Sequence, residues 1–133
     1  MPTIRQEDLI QSVADAFQFI SYYHPRDFIQ AMGKAYELEQ GPSAKDAIAQ
    51  ILTNSKMCAE GKRPICQDTG IAVVFLKVGM NINWAGATMS VADMVNEGVR
   101  RAYMNPDNPL RGSVLLDPAG KRKNSGDNTP AVI

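Results

Sequence analysis

Lys62-Arg63-Pro64-Ile65-Cys66-Gln67-Asp68-Thr69-Gly70 separates a helix-patterned first half from a mixed second half, and Ile71-Ala72-Val73-Val74-Phe75-Leu76 follows it directly. A thiol, an amide, a carboxylate and a hydroxyl stand on consecutive residues. Pro64 holds Arg63 extended, and Gly70 permits a φ that other residues resist. The apolar run is continuous rather than alternating, which predicts a strand from Ile71 to Val78 buried on both faces. The polar residues would then sit at the mouth of that strand, on a loop aimed by a rigid element. An ordinary polar turn ahead of a strand fits the same residues.

Upstream, Leu9, Val13, Ala16, Phe17 and Ile20 recur three and four apart and predict an amphipathic helix over 8–23. Pro25 suits the first turn of a second helix, with Phe28, Ile29, Met32, Tyr36 and Leu38 as its stripe and Gly41-Pro42 at its end. Ser43, with Asp46 three residues on, is expected to cap a third helix. That helix would bury Ala47, Ile48, Ile51, Leu52 and Met57 and close at Gly61. Downstream, Ser90 and Asp93 repeat the capping pattern ahead of Val91, Met94, Val95, Val99 and Ala102, a fourth helix ending before Asn105-Pro106. Short extended pieces are expected at 113–116 and 131–133. The fold class is α+β: an N-terminal helical bundle, then a buried strand, a further helix and short strands. Phe17, Phe28, Met32, Tyr36, Met57 and Met94 are expected in the core. Trp84 falls in a polar turn, placed to cover a sheet edge or meet a partner subunit. His24, beside Pro25, reads as a surface or cap residue.

With 133 residues and 44% apolar content, the chain is one domain at most. The formal net charge is zero, so neither nucleic acid nor an anionic membrane is indicated as a partner. Lys121-Arg122-Lys123 reads as a solvated loop without the interleaved aromatics of a single-strand groove. There is no apolar run of transmembrane length, and residues 1–8 are too acidic and polar for a secretory signal. A cytoplasmic location is therefore expected, and there a disulfide between Cys58 and Cys66 is not. Two thiols cannot supply four ligands to a cluster, and His24, the one histidine, is too remote in sequence for a zinc quartet. Cys58 lies on the apolar face of the third helix, where a buried inert thiol is expected. The sequence stops on Thr129-Pro130-Ala131-Val132-Ile133, a bare apolar segment of the kind that invites edge association. An N-terminal piece, 1–133, of a larger domain is expected.

Cys66-Gln67-Asp68-Thr69-Gly70 resembles the Cys-Gln-Asp-Thr-Gly signature of the class I fumarases, iron–sulfur hydro-lyases related to L-tartrate dehydratase. Leu52-Thr53-Asn54-Ser55-Lys56-Met57-Cys58-Ala59-Glu60-Gly61 resembles the helix that leads into that signature. Asn108-Pro109-Leu110-Arg111 and Asn124-Ser125-Gly126-Asp127-Asn128-Thr129-Pro130-Ala131 resemble two further stretches of the family. The resemblance covers nearly the whole chain in one order and is closest to long single-chain bacterial fumarases. It implies a 4Fe–4S cluster held by three cysteines, with Cys66 as the first ligand and the other two beyond residue 133. It implies that Gln67 and Asp68 contact substrate, and that the proton-abstracting base and several cations lie beyond residue 133. Fumarate and L-malate would be the substrate pair, and a homodimer the assembly.

The chemistry of these residue types agrees. Hydration of a trans dicarboxylic alkene needs a polarised carboxylate, an electrophile for the hydroxyl, and an acid and a base on opposite sides. An open iron can act as the Lewis acid. Cys66 as thiolate would hold it, with a pKa depressed by the metal. Asp68 can exchange a proton with the substrate hydroxyl. Gln67 can donate to a carboxylate oxygen and accept from a hydroxyl. Thr69 suits either a turn-stabilising hydroxyl or a substrate contact. A dianion also needs fixed cations, and arginine grips a carboxylate with two parallel bonds. Arg111, in the loop Asn105-Pro106-Asp107-Asn108-Pro109-Leu110-Arg111-Gly112, resembles a family arginine that binds a substrate carboxylate. A surface loop charge is the alternative for it. Lys62, Arg63, Arg100 and Arg101 compete, although Arg100 and Arg101 are expected to meet the last carbonyls of their helix. Asn124 to Asn128 is a candidate lining of the same cleft. Rival functions are an L-tartrate dehydratase or another hydroxy-acid hydro-lyase, a non-catalytic binding or assembly domain with Cys66 as a free thiol, and a redox sensor pairing Cys58 with Cys66.

Overall fold

The structure is a computed structural model that describes residues 1–66 and 70–133. Its elements are β1 (Thr3–Arg5), α1 (Gln6–Tyr22), α2 (Arg26–Leu38), α3 (Pro42–Gly61), β2 (Asn83–Ala85), α4 (Val91–Tyr103), β3 (Leu115–Leu116) and β4 (Lys123–Asn124). The mixture of helices and short strands is the expected α+β class. The chain divides into two compact units, Met1–Gln18 with Asp68–Ile133, and Phe19–Gln67. Helix α1 begins in the first and ends in the second.

In the first unit α4 forms as its sequence predicts. The Ser90 hydroxyl accepts the Asp93 N–H at 3.1 Å and donates to the Asp93 carboxylate at 2.7 Å, closing the N-terminal turn. The helix buries Met94, Val95, Gly98, Val99, Ala102 and Tyr103. Helix α1 opens with Glu7 and Asp8, favourable at the positive end of a helix dipole, and buries Ile10, Val13 and Ala14. The two helices approach closely at Gly98, where an added Cβ would lie 2.6 Å from Val13 Cβ and 2.7 Å from the Ile10 carbonyl oxygen. Ala72 joins Val13, Ala14, Val95, Val99, Ala102 and Tyr103 in the core, with Leu9, Phe17, Val74, Leu110 and Ala131 packed at its margin.

The strand expected from Ile71 to Val78 does not form as such. Its ladder is a single parallel bridge, Val73 to Val132, with hydrogen bonds from Val74 N–H to Val132 O and from Val132 N–H to Ala72 O, each 2.8 Å. The extended piece at 131–133 is thus its partner. Ala72 is buried and Val74 half-buried, whereas Ile71, Val73 and Phe75 are exposed. The run therefore covers the core with one face only, because among the described residues nothing packs on the other. Two short pairings escaped the sequence pattern. β1 runs parallel to β2 in the register Thr3–Asn83, Ile4–Trp84, Arg5–Ala85, so Trp84 sits in a strand rather than a turn. β3 and β4 are antiparallel, Leu115–Asn124 and Leu116–Lys123, which takes Lys123 out of the expected basic loop.

The second unit holds α2 and α3, packed on each other. Helix α3 starts two residues earlier than Ser43 as N-cap would dictate. Pro42 takes the first helical position and Gly41 is the N-cap, its carbonyl accepting the Lys45 N–H at 2.9 Å, so Ser43 lies inside the first turn and caps nothing. The expected stripe of α3 is also corrected: Ser55 and Cys58 are its buried residues, while Ala47, Ile51 and Met57 are exposed. Helix α2 has no fully buried residue, and Phe28 and Tyr36 reach the surface. Two short helices on each other bury only a narrow strip, so apolar positions off that strip stay exposed. At the C-terminus the left-handed conformation falls on Lys62 (φ 48, ψ 51) rather than on Gly61, which remains helical. No helix among the described residues is long and apolar enough to cross a membrane.

Candidate functional site

The chain leaves α3 through a short turn that presents Cys66. Arg63 N–H returns to the Cys58 carbonyl at 3.1 Å, and buried Ile65 donates its N–H to Ser21 O at 2.8 Å. The Cys66 N–H then meets the Asn54 side-chain oxygen, projecting from α3, at 3.2 Å. Backbone and thiol are thereby separated in role: the backbone of Cys66 is held, and its thiol is exposed and unpaired with any other sulfur. Cys58 is the opposite case. It is buried and reduced, and its thiol donates to Pro64 O at 3.4 Å. Nearby, the His24 ring is half-buried, 3.0 Å from Ser55 Oγ and stacked on Phe28 with centroids 4.3 Å apart, so it is a packing residue of this unit rather than a surface one. Gln67, Asp68 and Thr69 lie outside the described residues, and the roles expected for Gln67 and Asp68 have no geometry here.

In the first unit the exit of the signature is tied to the arginine loop. Gly70, at φ +66, has its carbonyl engaged by the Ser113 hydroxyl at 2.7 Å and by the Asn128 side-chain amide at 3.3 Å. Asn128 is fully buried, and its side-chain oxygen accepts the N–H groups of Ser113 at 2.7 Å and Val114 at 3.1 Å. Burial pushes the Tyr103 hydroxyl above its ordinary pKa, and a hydrogen bond with Asn128 opposes that rise. Gly112 lies so close to the turn at 124–128 that a Cβ there would stand 3.1 Å from the Gly126 carbonyl. Asn124 donates to Gly112 O at 3.0 Å, and Ser125 N–H to Val114 O at 2.9 Å. Arg111 therefore projects from a clamped backbone. Its side chain is exposed, and among the described residues no carboxylate pairs with it.

Arg100 and Arg101, on α4 of this unit, are paired with acids. Arg100 binds Glu97 at 2.7 Å, and Arg101 binds Glu97 at 2.9 Å and also Glu7. This replaces the expected bonds to the last helical carbonyls, because an acid one helical turn away is the stronger acceptor. The Arg100 hydrogen bond, reinforced by Arg101, outweighs partial burial and holds the Glu97 carboxyl down at about 2. An open hollow of about 360 Å³ beside these arginines is lined by Gln11, Asp15, Gln18 and Asn105 among others, but by neither Cys66 nor Arg111. Cys66 and Arg111 belong to different units, and each is placed only within its own. Among the described residues no group of three or more His, Cys, Asp or Glu could hold a metal.

A sequence model described as fumarate hydratase (Fumerase) matches residues 10–133. The chain belongs to the fumarate hydratase family. A Methanocaldococcus jannaschii protein with the provisional name L(+)-tartrate dehydratase subunit alpha is 34% identical over 122 residues, 90% of this chain and 42% of the relative. The anaerobic class I fumarate hydratase of Escherichia coli is 29% identical over 131 residues, 98% of this chain and 23% of that enzyme. The L(+)-tartrate dehydratase subunit alpha of Escherichia coli is 27% identical over 126 residues, 93% of this chain and 40% of the subunit. The chain thus spans about two fifths of the tartrate dehydratase subunits and about a quarter of that fumarate hydratase.

Two residues of the site have parts that the sequence did not specify. Asn54 holds the Cys66 backbone and Asn128 joins Gly70 to the Arg111 loop. Asn128 falls in the 124–128 turn expected to line the cleft, but the structure gives it a backbone-bridging part that the sequence did not indicate; its φ is 62.

Proposed function

We propose that this chain supplies the N-terminal part of a class I fumarate hydratase, an iron–sulfur hydro-lyase that interconverts fumarate and L-malate. The observation that carries it is the contrast between the two thiols of one unit: Cys58 buried in the fold, Cys66 exposed on a held backbone at the start of the family signature. Thiolate is the donor that such clusters take, so Cys66 fits as one ligand of a 4Fe–4S cluster. The remaining thiolates would come from polypeptide other than residues 1–133, fused or separate. When bound, the cluster supplies a Lewis acid for the substrate's carboxylate and hydroxyl. Asp68 exchanges a proton with the substrate hydroxyl. Gln67 orients a substrate carboxylate through its amide. Arg111, unpaired among the described residues, grips a carboxylate with its planar fork. Residues 1–133 would be one part of a catalytic domain that works as a cytoplasmic homodimer, in line with the resemblance and with a polar, acidic N-terminus.

The test is hydration of fumarate by the polypeptide as its natural host makes it, purified anaerobically and followed by loss of fumarate's ultraviolet absorbance. Turnover in that preparation and in the malate direction is expected. A second reading, L-tartrate dehydration, is favoured by the 34% identity to the Methanocaldococcus protein. Comparing kcat/KM for fumarate and L-tartrate on one preparation separates the two. Activity on neither substrate contradicts both.

A further inference from the structure

We propose that Asn128 is a positioning residue that sets the signature exit and the Arg111 loop in one frame. The proposal rests on the functional reading above, because it assigns those two segments to a single reaction. Its basis is geometric. One fully buried carboxamide uses its donor end on Gly70 O at 3.3 Å and its acceptor end on the N–H groups of Ser113 and Val114 at 2.7 and 3.1 Å. Those partners lie just after Asp68 and just after Arg111 in the sequence. A side chain that bridges two backbone segments this way fixes their spacing, and a carboxamide carries its donor and its acceptor on separate atoms that can face different segments. Ser113 reinforces the link by donating its hydroxyl to Gly70 O at 2.7 Å. Gly112 completes it, since a Cβ there would meet Gly126 and Asn128 backbone atoms at 3.1 to 3.2 Å. The geometry is costly to keep by accident. Asn128 holds a left-handed φ of 62 and leaves solvent entirely, so its polar atoms need all of these partners.

Three variants separate the donor end from the acceptor end. Asn128→Asp keeps shape and acceptor but loses the amide donor to Gly70 and alters the contact with Tyr103. Asn128→Gly keeps the left-handed backbone and loses both ends. Ser113→Ala removes only the hydroxyl bond to Gly70 and buries no charge, so it serves if an Asn128 variant does not fold. Two readouts are taken. The first, on the chain without cluster, is NMR: the Gly70 carbonyl carbon shift and hydrogen exchange at the Ser113 and Val114 amides. The second is the kinetics of the cluster-loaded enzyme. In Asn128→Asp and Ser113→Ala the Gly70 shift should move while the two amides stay protected. In Asn128→Gly both should change. Ser113→Ala should lower kcat about tenfold, the worth of one neutral hydrogen bond, at near-parental KM, and Asn128→Asp, which also sets a buried carboxyl group against the Gly70 carbonyl, should lower it at least as much. Asn128→Gly should raise KM as well, because the arginine loop is released. An Asn128→Gly variant with the parental Gly70 shift and parental exchange overturns the clamp. Altered NMR with parental kcat and KM overturns its part in the reaction. A parent enzyme inactive on dicarboxylates overturns the functional reading instead, and the NMR result, which needs no activity, tells that failure from failure of the clamp.

Discussion

Gly98→Ala is the sharpest structural test of the first unit. The added methyl would stand 2.6 Å from Val13 Cβ, 2.8 Å from Val13 Cγ1 and 2.7 Å from the Ile10 carbonyl oxygen. Carbon atoms in contact prefer roughly 3.5–4.0 Å, so α1 and α4 would have to part by about an ångström. The carbonyl belongs to helix backbone and cannot rotate aside. Overpacking of this kind costs about 1–3 kcal/mol. Alanine offsets part of it, being about 0.5–1 kcal/mol better than glycine inside a helix. A net loss of ~1–2 kcal/mol is expected. Gly33 is the control: it lies inside α2 and an added Cβ meets nothing within 4 Å. Gly33→Ala should therefore gain about 0.5–1 kcal/mol with no opposing clash. Urea unfolding measures both. Trp84, the one tryptophan, lies in β2 of the first unit and reports on it by fluorescence, while circular dichroism follows the helices of both units together. A Gly98→Ala midpoint equal to or above the parent's would refute the close α1–α4 approach.

Other outcomes follow from the same structure. Lys62→Gly should stabilise the second unit, because a left-handed non-glycine residue costs roughly 1–2 kcal/mol and glycine's entropy returns only about half of that; a lowered thermal midpoint would contradict it. Glu97 titrates near 2 in the folded chain against an ordinary value of 4.5, so its contribution is complete above that value and is lost as pH falls from 4.5 toward 2. Glu97→Gln should flatten the dependence of the urea midpoint on pH in that window, and an unchanged slope would count against the ion pairs with Arg100 and Arg101. Arg111→Lys in the active enzyme keeps the charge but loses one of two charge-assisted bonds, worth ~1.5–3 kcal/mol, so kcat/KM for fumarate and malate should fall roughly ten- to hundredfold. Parental kcat/KM in both directions would make Arg111 a surface charge.

The sequence was most legible where the determinants are local. Helix α4 carries its cap, Ser90 and Asp93, and its stripe, Met94 to Ala102, within a few residues of each other, and all of it formed. The burial of Cys58 was legible for the same reason, since its place along α3 puts it on the inner face. The run after Gly70 was misread because its residue types say that it is extended but not how many neighbours it has. With one bridge to Val132 it buries a single face. β1 and β2 are three residues each and meet from positions 3 and 83, a pairing that no local pattern encodes. At α3, Pro42 outcompeted Ser43 for the helix start, a contest between two valid signals one residue apart. The bonds of Asn54 and Asn128, the latter within the turn expected to line the cleft, were not legible because their partners are backbone groups 12 and 58 residues away, and a backbone group has no signature in the sequence.

The assignment of Cys66 as a cluster ligand is tested most directly by iron and sulfide per chain. The parent, Cys66→Ala and Cys58→Ala would be purified side by side under argon from the natural host. Cys66→Ala should lose bound iron and the brown absorbance with it. Cys58→Ala, which removes a buried thiol hydrogen-bonded to Pro64, should keep both and lose only about 1 kcal/mol of stability. Equal iron and sulfide in the parent and Cys66→Ala would contradict the assignment.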